Sequence, residues 1–206
     1  MQGRHRPPTP DMNRATRFRT AVAVAALFCA ATPLEGQGRP FMIGLYGGGY
    51  THFLNLNNPG TADFTGGYEV GATAGVQLSE HFGVHGDFTY ARNRARGASA
   101  FAGRDFNRFF GGAHLEFRYP LGSLTPYVFA GGGAITITEL GNAATLGHFT
   151  RPTASFGLGF SGAMPAPHAR VFVEAKNLVY WWNEGGFDRM QWDFSYALGV
   201  SYRFGP

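Results

Sequence analysis

Seven charged residues, Glu69, Asp87, Glu116, Arg118, Glu174, Lys176 and Arg203, lie in segments where every second residue is apolar, and all seven fall between the apolar positions. A strand turns alternate side chains to opposite faces, so these charges share the face that the apolar residues leave. Charges of both signs on a face away from bulk water must pair with one another. The chemistry this predicts is an ion-pair network in which Glu116 and Arg118 face Glu174, Lys176 and Arg203. His85 and His114 share that parity with Asp87 and Glu116, a donor set that binds zinc or copper when register brings it together. Histidines bonded to acids are the commoner arrangement, so neither a metal nor another cofactor is expected.

A hydroxyl nucleophile needs a base and an orienting acid nearby. The nearest approach is His148, Phe149, Thr150 with Glu139, and no spacing ties these residues together. A catalytic centre is therefore not expected. Arg92, Arg94, Arg96 and Arg104 form a basic cluster suited to phosphate groups or other polyanions. Trp182 and Phe187 offer an aromatic surface for a ligand, although the bland role of such residues is an interfacial belt.

Eight runs of strand character position these groups: about 41–54, 68–78, 82–90, 108–119, 127–138, 153–161, 170–176 and 192–204. The last is the clearest. Trp192, Phe194, Tyr196, Leu198, Val200, Tyr202 and Phe204 alternate with Asp193, Ser195, Ala197, Gly199, Ser201 and Arg203. In the fifth run Tyr127, Phe129, Ile135 and Ile137 define the apolar face. In the first, the triple Gly47, Gly48, Gly49 blurs which parity is apolar. Connections alternate, long near 55–66, 93–104, 139–151 and 183–190, shorter at 79–80, 120–125 and 162–169.

The face opposite the apolar one is mostly Gly, Ala, Ser and Thr, too bare for the exterior of a water-soluble barrel with an apolar interior. The apolar faces are therefore predicted to meet lipid, and a closed barrel satisfies every backbone group there. The fold class expected is all-β, an eight-stranded antiparallel up-and-down transmembrane β-barrel. Tyr119, Tyr127, Trp181 and Trp192 are expected to form its aromatic girdle. Long loops face outward and short turns the periplasm in such barrels, which places both mature termini in the periplasm.

The sequence has 206 residues, of which 44% are hydrophobic and 15% charged, with 31 Gly and 20 Phe. Its net charge of +4 belongs mainly to the N-terminal segment, because from Gln37 onward 12 basic residues stand against 11 acidic ones. Nucleic acid is therefore not an expected partner. Residues 1–36 read as a secretory signal peptide, with Arg14, Arg17 and Arg19 ahead of an apolar run from Ala21 to Ala31, and Met12 is an alternative start. The run is shorter than the roughly 20 residues of a transmembrane helix. Cys29, the only cysteine, lies within it, so residues 37–206, the expected barrel domain, contain no thiol.

On this pattern the chain resembles the small eight-stranded outer-membrane barrels of the OmpA, OmpX and opacity-protein type. Gly199, Tyr202 and Phe204 look like the C-terminal signal read by the barrel-assembly machinery. Ala197 stands where that signal is usually polar, and Gly205 and Pro206 follow the terminal aromatic. The resemblance implies an integral protein of a Gram-negative-type outer membrane, with a plugged or narrow lumen and a structural or surface-interaction role such as envelope stability or adhesion. It implies outer-membrane lipid and lipopolysaccharide as partners, and a surface ligand for the loops. A narrow porin-like channel for small solutes is the alternative. Some barrels of this type modify lipid A, but their His-x-Ser deacylase pattern is absent from this sequence.

Overall fold

The computed structural model describes residues 40–52, 62–97, 102–141, 146–184 and 188–205, and the leader with its cysteine lies outside them, as does Phe187. Among the described residues nine strands follow one another: β1 (Phe41–His52), β2 (Ala62–Phe64), β3 (Gly67–Gln77), β4 (Phe82–Gly97), β5 (Asp105–Arg118), β6 (Leu124–Glu139), β7 (His148–Ala163), β8 (Ala169–Trp182) and β9 (Arg189–Phe204). All pairings are antiparallel. The order β4-β3-β1-β9-β8-β7-β6-β5 closes through β4–β5, giving an eight-stranded up-and-down barrel. The three-residue β2 prolongs the line of β3 along β4, pairing Ala62 with Gly97 and Phe64 with Ala95. Closure leaves the staves no free edge, the condition for a sheet in hydrocarbon.

The outward faces carry the apolar residues of the alternating pattern. Leu45 is 63% exposed and Leu198 58%, with Val70, Phe88, Leu115, Leu158 and Val173 also exposed. Water would not tolerate so continuous an apolar wrap on a single chain, whereas lipid requires it. The wrap is shorter than the strands. On β4 the outward series Phe82, Val84, Phe88, Tyr90 gives way to Arg92, Arg94 and Arg96. On β5 the series Phe117, Leu115, Phe109 gives way to Asn107 and Asp105. β4 has 16 residues, against the roughly 9–11 that cross a bilayer, so it projects past the apolar band at the end bearing the 53–61 and 98–104 connections. The sequence pattern stops β4 at Tyr90 because the apolar residues stop there, while the ladder continues.

β6 overturns the facing expected for it. Tyr127, Phe129, Ile135 and Ile137 are buried inside the barrel, while Val128 and Ala130 face outward. Tyr127 is therefore not part of a lipid-facing girdle. Its ring lies over Gly159, its register partner on β7, and Phe129 lies likewise over Gly157. Phe172 covers Gly199 and Tyr46 covers Gly71 in the same way. A Cβ at any of these four glycines would collide with the ring opposite. Large inward rings and missing side chains thus occur in complementary pairs, which explains how so narrow a lumen holds so many aromatics.

Candidate functional site

The lumen divides into two unlike halves. At the long-loop end, Tyr50, Phe64, Ala91, Ala95, Phe106, Phe110, Ile135, Ile137, Phe149, Leu178, Tyr180 and Trp182 form one buried cluster. Trp182 is completely buried within it, so it offers no ligand surface at the exterior. Arg108 crosses this cluster with its guanidinium carbon 4.7 Å from the Phe64 ring centroid. It donates through Nη1 to the Tyr180 hydroxyl at 2.7 Å and through Nε to Asn93 Oδ1 at 3.2 Å. Tyr180 donates in turn to Asp193 Oδ2 at 2.8 Å, Tyr50 bonds the same oxygen, and His52 Nδ1 pairs with Oδ1. A buried charge is tolerated only when its donors and acceptors are satisfied, and Asp193 is satisfied from β1, β5 and β8 together.

At mid-height Lys176 pairs with Asp87 and donates to Thr89 Oγ1 at 3.3 Å. Tyr46 donates to Asp87 Oδ2 at 3.2 Å. Glu69 is buried on the same inner face, and Glu174 accepts from the Tyr127 hydroxyl at 3.1 Å. The His85 and His114 rings are register partners 4.9 Å apart. His114 bonds Ser155 Oγ at 2.6 Å through Nε2, with Nδ1 3.4 Å from Asp87, and His85 Nδ1 lies 3.5 Å from Glu116. No grouping of three or more His, Cys, Asp or Glu able to hold a metal occurs among the described residues.

The expected pairing across the lumen therefore takes a different form. Glu116 pairs with Arg118 along its own strand, since a separation of two residues returns both to the inner face. Lys176 reaches Asp87 rather than Glu116. Arg203 lies at the terminal end of the lumen, lining a vestibule of about 180 Å³ that also includes Arg118 and Arg170. Sequence reasoning missed Arg108, Arg170, Asn93 and Tyr50 as members of the lumen. Arg108 and Arg170 share the polar parity of the charges that were picked out, and that parity is the signal that could have found them.

The remaining candidates separate. Arg92 Nη2 donates to Asp105 Oδ2 at 2.8 Å and Arg94 Nε to Oδ1 at 2.7 Å, an outward-facing cluster immediately beyond Tyr90 and Phe109. Arg104 leaves this cluster to pair with Glu139. Glu139 is buried inside, whereas His148 and Thr150 face outward, so the three do not converge. Trp181 faces outward and is 53% exposed at the long-loop end, Trp192 faces outward beside Phe156, and Tyr119 is exposed just past β5. Gly199 faces inward beneath Phe172, while Tyr202 and Phe204 face outward at the terminal end.

No protein-family model matches the chain, and no curated protein matches it by sequence. Solved structures do. Neisserial surface protein A, NspA, is 14% identical, with 82% of this chain and 98% of that chain covered and a TM-score of 0.56. The N-terminal β-barrel domain of Pseudomonas aeruginosa OprF is 15% identical over 82% of this chain and all of that one, at a TM-score of 0.50. Ail, the attachment invasion locus protein of Yersinia pestis, solved with the heparin analogue sucrose octasulfate, is 16% identical over the same shares, also at 0.50. The fold is thus that of the small eight-stranded outer-membrane barrels.

Proposed function

We propose that this protein is an integral outer-membrane barrel with a sealed lumen, working as a structural and surface-interaction element of the envelope. The observation carrying this reading is the division of the lumen. The buried cluster around Trp182 and Arg108 occupies the long-loop half, which favours a plug over a path for solutes. In the orientation proposed, long loops face the exterior and both mature termini the periplasm, as in barrels of this architecture. The outward Arg92 and Arg94 then lie just above the apolar band, level with lipopolysaccharide phosphates, for which guanidinium groups supply paired donors. Gly199, Tyr202 and Phe204 serve as the assembly signal. The separation of His148 and Thr150 from Glu139 supports a non-catalytic reading.

Planar-bilayer recording of the refolded protein, with heat-modifiable migration and cell fractionation, tests this. Absence of stepwise conductance from a heat-modifiable outer-membrane species is the expected result, and reproducible single-channel steps would restore the narrow-channel reading. Arg92→Gln/Arg94→Gln should weaken retention on lipopolysaccharide relative to the parent barrel. Lipid A mass spectra from cells with and without the protein should coincide, and a changed acylation pattern would establish an enzyme.

A further inference from the structure

The vestibule at the terminal end is built unlike the rest of the lumen. Its walls include Gln77, Glu116, Arg118, Thr125, Arg170 and Arg203. Glu116, the vestibule's carboxylate, is already paired with Arg118. A second carboxylate, Glu174, lies deeper and accepts from the Tyr127 hydroxyl at 3.1 Å. Arg170 meets only neutral oxygens, donating through Nε to Ser161 Oγ at 3.2 Å and through Nη2 to Ser161 Oγ at 3.1 Å, Ser161 O at 3.1 Å and Thr125 Oγ1 at 3.0 Å. Arg203 Nε is buried with no hydrogen-bond partner. Among the described residues no carboxylate lies within ion-pair distance of Arg170 or Arg203. Both guanidinium charges face a cavity whose volume of about 180 Å³ is many times what one water requires.

Two guanidiniums without a carboxylate partner among the described residues line one cavity, with hydroxyls alongside, and match the needs of a tetrahedral oxyanion. Such an anion accepts several charge-assisted hydrogen bonds at once, and the two guanidinium groups are the donors that line the cavity. We propose that this vestibule is an anion site for phosphate, held by Arg170 and Arg203, with Arg118 kept from the anion by Glu116. The phosphate is either free in solution or the headgroup of a phospholipid at the barrel's rim. The site rests on the orientation proposed above only for its compartment, which is the periplasm.

The test uses the barrel refolded in octyl glucoside without phosphate, with arginine side chains labelled with nitrogen-15. Titration with inorganic phosphate should move two Nε–H resonances saturably, those lost in Arg170→Gln and Arg203→Gln. Each substitution should weaken apparent affinity about tenfold, the loss of one charge-assisted contact. Chloride at matched ionic strength should leave both resonances unmoved. A soluble short-chain phosphatidylglycerol forms the second arm: competition with phosphate identifies the headgroup as a source, and its failure leaves free phosphate. If Arg203→Gln does not refold, Arg170→Gln carries the test, and heat-modifiable migration of each sample reports the barrel separately from binding. Resonances that never move, that move equally with chloride, or that titrate unchanged in Arg170→Gln would overturn the proposal.

Discussion

The two ends of the lumen solve the same packing problem in opposite ways. At the long-loop end the interior is filled as a soluble protein core is filled, with aromatic and aliphatic side chains around Arg108 and Asp193. At the terminal end the same tube holds an open cavity walled in part by arginines, of which Arg170 bonds neutral oxygens and Arg118 bonds Glu116 and Gln77. Removing one charge therefore has different consequences in the two places. In the first it leaves a buried partner charge uncompensated; in the second the loss of Arg170 leaves only neutral hydroxyls behind.

The largest expected effect follows from that difference. Arg108→Ala leaves Asp193 without its guanidinium and should destabilise the refolded barrel by about 3–5 kcal/mol in denaturant titrations in micelles. A loss below about 1 kcal/mol would show that the loop-end half behaves like the vestibule. Leu198→Arg belongs to neither half, since it lies on the lipid face, and should cost about 2–4 kcal/mol, a value fading toward zero for substitutions nearer the rims. Gly159→Ala should cost about 1–3 kcal/mol by overpacking against Tyr127, and Tyr127→Ala combined with it should be less damaging than the two losses added. Additivity would mean that the ring and the glycine do not meet. The smallest effect is expected for Arg170→Gln, below about 1 kcal/mol by the same unfolding measurement.

Alternation made the closed barrel legible because lipid and lumen demand opposite side chains on the two faces of a strand, and β3, β4, β5, β7, β8 and β9 obey that demand. β6 misled because the rule assumes that bulky apolar residues point to lipid. Where the lumen is itself an apolar core, Ile135 and Ile137 are equally at home inside, and Phe129 is held there against the His85 and His114 rings. Only the glycines opposite, Gly157 and Gly159 on β7, carried the contrary signal. Partners within the site were illegible for another reason. Parity places Asp87, Lys176, Glu116 and Arg118 on one face but says nothing of their heights, and register alone decides that Lys176 meets Asp87. The overshoot of β4 was hidden because Arg92, Arg94 and Arg96 continue the alternation with charge in place of hydrophobicity.

The seam between the first and last strands has a kinetic side. β1 and β9 pair from Phe41↔Phe204 to His52↔Asp193. At the long-loop end of that seam, Tyr50 and His52 meet Asp193 across 143 and 141 residues of chain. Contacts so distant in sequence form late, after the intervening hairpins have reduced the search. Until then Asp193 has its Tyr180 bond but lacks both partners from β1. The clasp therefore rewards only the completed cylinder: an open sheet of the same eight staves carries a half-satisfied acid at its edge, and shutting the ring supplies the rest.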